Sequence, residues 1–314
     1  MKIELYKEWM FPQIIKLFVN EYKISNEEFI TFWMRLYEND YQINRSIRIV
    51  AIEENTVIGF QSYFYWPYII EGKIKNSYQS GNSIVHPSHR GKGVFKKLLN
   101  YEIESNIDFL VGFPVEASFN SFIKSKWLNV LDLQWYVRII NPLSFFFSKK
   151  RINKVFSQTV EFSSQKSNYN TLCENTEFQN WKDNLRNQKS NYYTFIWKHK
   201  DGSQITFELK TQTRKIIITE LIIGKIKFDE NSQIYLENAL LDFINTAIKT
   251  KSITICSVAL NPFLYNGKII DVVKSVCFFK INRNIHFIVK SNIDNNSITN
   301  PNNWNIGRSD IDTW

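Results

Sequence analysis

The segment from Ser83 to Leu99 constrains this chain most. It runs from an apolar strand through His86 and Pro87 into Arg90, Gly91, Lys92 and Gly93, and then into an amphipathic helix. Gly91 and Gly93 lack a Cβ, so the turn can take positive φ and lie against a ligand. The N–H groups of residues 91 to 95 have no acceptors within the helix they open. Free amides, the positive end of the helix dipole and the charges of Arg90 and Lys92 together favour a pyrophosphate there. The predicted helix puts Val94, Phe95, Leu98, Leu99 and Ile103 on one side and Lys96, Lys97, Asn100 and Glu104 on the other. An ordinary strand-to-helix turn would account for the glycines but not for the positive residues.

The Arg90 to Phe95 stretch resembles motif A of the Gcn5-related N-acetyltransferases, with Phe95 where that family has a small residue. A second match follows. Ile107 to Val111 reads as a short apolar strand, and Gly112 to Trp127 resembles motif B, where a strand splays from its neighbour and the pantetheine arm enters the gap. Ser118, Lys124 and Trp127 match that motif, whereas Val115 replaces Asn, Phe122 replaces Tyr and Lys126 replaces Gly. In many family members the Tyr protonates the departing thiolate, and a Phe has no proton to give.

The resemblance implies an α/β chain with the acyl-CoA N-acyltransferase fold, a mixed central sheet flanked by helices. It implies acetyl-CoA as the acyl donor, held by Arg90, Gly91, Lys92, Gly93, Val94 and Phe95 with Ser118 and Phe122 alongside, and no metal. Backbone donors near Ser83, Ile84 and Val85 are expected to receive the thioester carbonyl, since that strand bulges in the family. Candidate bases are Glu116, Tyr78 and His86. His89 reads as loop surface or a phosphate contact, and His199 and His286 sit in strand patterns and read as structural.

Residues 1 to 140 read as one unit. Pro12 opens a helix through Phe11, Ile14, Ile15, Phe18 and Val19, and Ser25 with Glu28 caps a second through Phe29, Phe32, Trp33, Leu36 and Tyr37. Strands follow at Ile47 to Ile52, Val57 to Tyr65 and Ile74 to Val85, with a closing strand at Leu131 to Ile140. Residues 141 to 170 read as a connection, and 171 to 314 as a second, degenerate copy of the same theme. That copy has strands at Tyr192 to Lys198, Gln204 to Lys210 and Lys215 to Ile223, a helix at Ile234 to Thr250, a strand at Ser252 to Leu260 and a hairpin from Val276 to Val289. Its turn after Ile223 lacks a glycine cradle, so one acyl-CoA site is expected. The tandem form and the Trp-Gly-Asp-Asp-Trp ending, Trp304 to Trp314, resemble bacterial two-part acetyltransferases found near surface-polysaccharide genes. A carboxylate at Trp314, helped by Asp310 or Asp312, is a further candidate base, with a tail sealing the halves as the alternative.

The net charge of +9 is spread along the chain without a helix-turn-helix or zinc pattern, so no nucleic-acid partner is expected. Cys173, Cys256 and Cys277 lie far apart, which argues against a disulfide scaffold or metal cluster and for a reducing compartment. Glu4 and Glu8 interrupt any signal region, and no apolar run approaches the roughly 20 residues that span a bilayer, so a cytoplasmic protein without a transmembrane segment is expected. Pro142 to Phe147, followed by Lys149, Lys150 and Arg151, reads as either a buried segment between halves or a membrane-surface contact. Three functions stay open: N-acetyl transfer to a small-molecule amine, such as an amino sugar or amino-acid derivative; aminoacyl transfer of the peptidoglycan-bridge type; and acyl-CoA binding without catalysis.

Overall fold

The structure, a computed structural model, describes residues 1–103, 106–147, 152, 155–157, 168–185, 191–215 and 217–311. The chain starts with β1 (Lys2–Leu5), α1 (Phe11–Tyr22) and α2 (Asn26–Leu36). Ser25 Oγ accepts the N–H of Glu28 at 3.0 Å and starts α2. The spacing of Phe29, Trp33 and Leu36 buries one face of α2, with Phe29 stacked on Phe18 of α1 at 4.9 Å. Then come β2 (Ile47–Glu53), β3 (Thr56–Tyr65), β4 (Tyr68–Ile70), β5 (Lys73–Lys75), β6 (Ser77–Val85), α3 (Val94–Leu99), β7 (Phe109–Gly112), α4 (Glu116–Lys124) and β8 (Leu128–Ile139). The strand expected from Ile74 to Val85 is thus two strands, and α3 stops at Leu99, because Asn100 leaves helical geometry (φ −97°, ψ 5°) before Ile103.

The rest comprises β9 (Thr171–Leu172), α5 (Thr176–Leu185), β10 (Tyr192–Lys198), β11 (Gln204–Arg214), β12 (Ile218–Lys227), α6 (Leu236–Thr250), β13 (Ile255–Leu260), α7 (Lys268–Ser275), β14 (Phe279–Ser291) and α8 (Asn296–Thr299). Among the described residues eleven strands form one sheet, in the order β1-β2-β3-β6-β7-β14-β8-β13-β12-β11-β10, and β5, β4 and β9 form a small second one. Pairing in the large sheet is antiparallel except at β6/β7 and β12/β13. Each parallel pair is joined by a crossover that contains a helix, α3 or α6.

Two features of this sheet are invisible to local pattern. The hairpin expected between Val276 and Val289 is one strand, β14, because both apolar runs pair with β8 and the polar residues between Lys280 and Asn284 form an irregularity instead of a turn. This last strand lies between β7 and β8, while the other edge of β8 pairs with β13. The strands of residues 1 to 140 and those of the later residues therefore share one uninterrupted sheet, edged by β1 and β10. The Pro142 to Phe147 stretch is not buried: Phe145 is 55% and Phe146 72% exposed, because the inward position of that turn belongs to Ser144.

Candidate active site

β6 and β7 pair only through Ser77/Phe109, Tyr78/Leu110 and Gln79/Val111, after which they part. β7 ends at Gly112, whereas β6 continues to Val85. Among the described residues no strand pairs with the edge of β6 exposed beyond Gln79. On its other edge β6 is bulged: Gly81 faces Ser62 and Ile84 faces Phe60, so Asn82 and Ser83 together oppose Gln61, with Asn82 at φ +49°. The N–H of His86 donates to Ile58 O at 2.8 Å, so by strand alternation the N–H of Val85 points into the opening between β6 and β7.

A buried polar network fixes the bulge. Gln61 and Ser62 are fully buried; Ser83 Oγ donates to Gln61 Oε1, and Gln61 Nε2 donates to Ser62 O at 2.7 Å and Ser80 Oγ at 3.0 Å. Ser62 Oγ donates to Gly81 O at 2.8 Å, and Tyr37 Oη links Ser62 to Asn82 at 2.8 and 3.0 Å. Each buried group finds a partner, which is what holds an irregular strand in a single shape. The sequence reading missed this network, since Tyr37, Gln61 and Ser83 meet only through the fold.

Past Val85 the chain makes the turn toward α3. Gly91 and Gly93 sit at φ +76° and +78°, and the N–H groups of Gly91 through Lys96 donate to no acceptor among the described residues. Arg90, whose side chain is half exposed, has protein partners as well. Its guanidinium pairs with Glu21 of α1 at 2.7 Å and donates to Val85 O at 3.1 Å, so it ties the turn to β6 and α1, and Lys92 beside it is exposed. Glu53, His89, Ser88 and His86 form a hydrogen-bonded chain along the turn's flank, at 3.1, 2.9 and 2.7 Å.

On α4, Ser118 Oγ donates to Val115 O at 3.1 Å. Phe122 is buried and meets Phe95 edge-on at 5.5 Å and Trp127 at 5.0 Å. Two of the four departures from the family pattern, Phe95 and Phe122, thus touch each other across α3 and α4. Tyr78 is also buried, against Tyr65, and burial raises its phenol pKa, which keeps it protonated. Glu116, the first residue of α4, is largely exposed and reaches His286 Nε2 at 3.0 Å, while Asp132 of β8 holds His286 Nδ1 at 2.8 Å. The imidazole stacks on Phe119 at 4.0 Å. His286 stands on β14 just past the Ile288/Gly112 pair, beyond the end of β7. Asp310 lies elsewhere, buried against Lys225 at 2.9 Å; Asp312 and Trp314 lie outside the described residues.

Burial pulls the His286 pKa down, but hydrogen bonds and charge from Glu116 and Asp132 outweigh it, and the net shift is upward from 6.5. A raised folded-state pKa contributes stability that is complete below the unfolded value and is lost as pH rises through the folded one. Chemical denaturation at stepped pH should therefore show stability falling as pH rises above about 6.5, a slope that His286→Gln should flatten. An unchanged slope would mean that the imidazole is not charged between the two carboxylates.

The second parallel pair opens in the same way. β12 and β13 pair from Glu220/Ile255 to Ile223/Val258, and β12 bulges against β11 at Gly224. This opening is filled by the chain itself. The backbone of Gly307 lies against Gly224 O, Asn305 Nδ2 donates to Ile226 O at 3.2 Å, and Lys225 Nζ donates to Asp310 Oδ1 at 2.9 Å. From the β13 side, Asn261 Nδ2 donates to Pro301 O and Trp304 O at 2.7 and 2.8 Å. The amides leading into α6 are also engaged, since Ser232 N donates to Asp229 Oδ1 at 2.7 Å and Gln233 N to Asp229 O at 3.0 Å.

No protein-family model matches the chain, and no curated protein matches its sequence. Solved structures do match. A probable N-acyltransferase from Enterococcus faecalis superposes with a TM-score of 0.57 at 11% identity, over 92% of this chain and 72% of that one. A GCN5-related N-acetyltransferase from Anabaena variabilis gives 0.58 at 11% identity, over 92% and 73%. One from Kribbella flavida gives 0.55 at 8% identity, over 92% and 71%. The chain has the fold of the GCN5-related N-acyltransferases. Among the described residues no group of three or more His, Cys, Asp or Glu could hold a metal ion, and no helix is long and apolar enough to cross a membrane.

Proposed function

We propose that this protein is an N-acyltransferase that takes an acetyl group from acetyl-CoA and places it on the amine of a small molecule, with amino sugars and amino-acid derivatives as the first acceptors to screen. One observation carries the reading: unpaired amides from Gly91 to Lys96 and two left-handed glycines follow directly on a bulged strand that has parted from its parallel neighbour. In this reading the pyrophosphate sits on the amides and the acyl arm runs into the opening, where the Val85 N–H receives the carbonyl oxygen. The acceptor nitrogen attacks the carbonyl carbon, the C–S bond breaks, and the nitrogen gives up a proton while the thiolate gains one.

Phe122 cannot supply that proton. We assign proton handling to Glu116 and His286, with Asp132 holding the imidazole. His286→Gln is expected to lower kcat by roughly 100-fold or more and remove one limb of the pH profile, while calorimetric affinity for acetyl-CoA stays unchanged; unaltered kcat would reject the assignment. The Phe95/Phe122 contact supports a second reading, acyl-CoA binding without transfer. The whole proposal is tested by titrating acetyl-CoA and then following thiol release across an amine library. Binding without release favours the second reading, and no binding rejects both.

A further inference from the structure

The turn from Asn141 to Phe147 inverts the usual burial order. Its one buried side chain is polar: Ser144 is 3% exposed and shares a 2.6 Å hydrogen bond with Thr254 Oγ1. Leu143, Phe145 and Phe146 face solvent instead. The geometry is fixed, since Asn141 Nδ2 donates to Lys251 O at 2.7 Å, Asn141 Oδ1 accepts from Leu143 N at 3.1 Å, and Phe147 N donates to Ser144 O at 3.0 Å. The turn packs against β12, at whose start Ile217 adds a further exposed apolar side chain. A rigid turn that hides a serine and displays two phenylalanines is not serving the core, and clustered exposed apolar groups mark a contact surface.

Charge decides what it contacts. Lys251 caps α6 and lies over the Phe147 ring at 5.7 Å, and Lys215 and Lys249 are exposed at neighbouring chain positions. From Leu133 to Val160 the sequence contains no Asp or Glu; its Lys149, Lys150, Arg151 and Lys154 lie outside the described residues. Aromatic side chains among lysines without carboxylates fit an anionic bilayer surface, with rings entering the headgroup layer and ammonium groups meeting phosphates.

We propose that the Asn141 to Phe147 turn docks this protein reversibly onto anionic membrane surfaces through Leu143, Phe145 and Phe146. The contact lies outside the candidate active site and is independent of its chemistry. Flotation of the full chain with vesicles of phosphatidylglycerol and phosphatidylcholine should show binding that pure phosphatidylcholine does not support. High salt should weaken it, because each surface lysine contributes about five-fold at low ionic strength. Phe145→Ser/Phe146→Ser should reduce binding at least ten-fold and leave the thermal midpoint and acetyl-CoA titration unchanged; Phe146→Ser alone should give a smaller loss. Absence of flotation, binding unaffected by the double variant, or a dimer that the double variant dissolves would each overturn the proposal, the last by making the turn a contact between copies.

Discussion

Gly307→Ala is expected to cost more than about 3 kcal/mol of folding stability, enough to unfold a marginal protein. The backbone of Gly307 is ordinary, at φ −140° and ψ −173°, so no strain of conformation is involved. Space is the cause. A Cβ there would stand 2.1 Å from Gly224 O and 3.1 Å from Lys225 Cα, and both are backbone atoms of a central strand that cannot turn aside as a flexible side chain would. Displacing the segment would also break the buried Lys225–Asp310 pair and strand two charges in the interior. Denaturant unfolding of the variant against the unmodified chain measures the effect. A loss below about 1 kcal/mol would show that the C-terminal segment is not seated in the β12/β13 opening as described.

That segment also explains how two similar openings come to differ. Both parallel pairs part after a few residues, and both leading strands are bulged. The opening beside β12 already holds backbone from Trp304 to Asp310, and its preceding turn spends its amides on Asp229. The opening beside β6 has no comparable occupant among the described residues. There the amides from Gly91 to Lys96 have no acceptor among the described residues, whereas Ser232 N and Gln233 N ahead of α6 are taken up by Asp229.

How much of this was legible depended on range. The strand, turn and helix around Arg90 are specified within seventeen residues, from Ser83 to Leu99, and the left-handed glycines stand where the residue pattern put them. The caps and spacing of α1, α2 and α6 are local too, and those helices formed within a few residues of their expected bounds. What failed was long-range. Asn282 and Asn284 flanking Arg283 look like a turn until β8 is placed beside them. The pairing of Arg90 with Glu21 of α1 at 2.7 Å was equally outside the reach of a local pattern. The partners of His286, Asp132 and Glu116, are more than 150 residues away in the chain and could not be read beside it. A sequence pattern reports what one element needs, and a site assembled from four elements appears only once the sheet order is known.

Gly91→Val should lower affinity for acetyl-CoA by at least about 100-fold while leaving the thermal midpoint nearly unchanged. A Cβ at Gly91 meets nothing within 4 Å, so the fold has room for the side chain. The conformation does not: at φ +76° a β-branched residue pays on the order of 1–3 kcal/mol, and an exposed turn escapes that cost by rotating away. Rotation turns the neighbouring amides off the position where they converge. Losing two charge-assisted hydrogen bonds, at about 1.5 kcal/mol each, accounts for the stated factor. The strain stays local, because Gly91 and Lys92 are exposed and the anchors of the turn, Arg90 to Glu21 and Val85 O, lie before it. Calorimetry on the unmodified chain should at the same time give one acetyl-CoA per protein, since the second opening is filled. Unchanged affinity in Gly91→Val would remove the pyrophosphate from this turn, and a stoichiometry of two would mean that the C-terminal segment leaves β12 when donor is present.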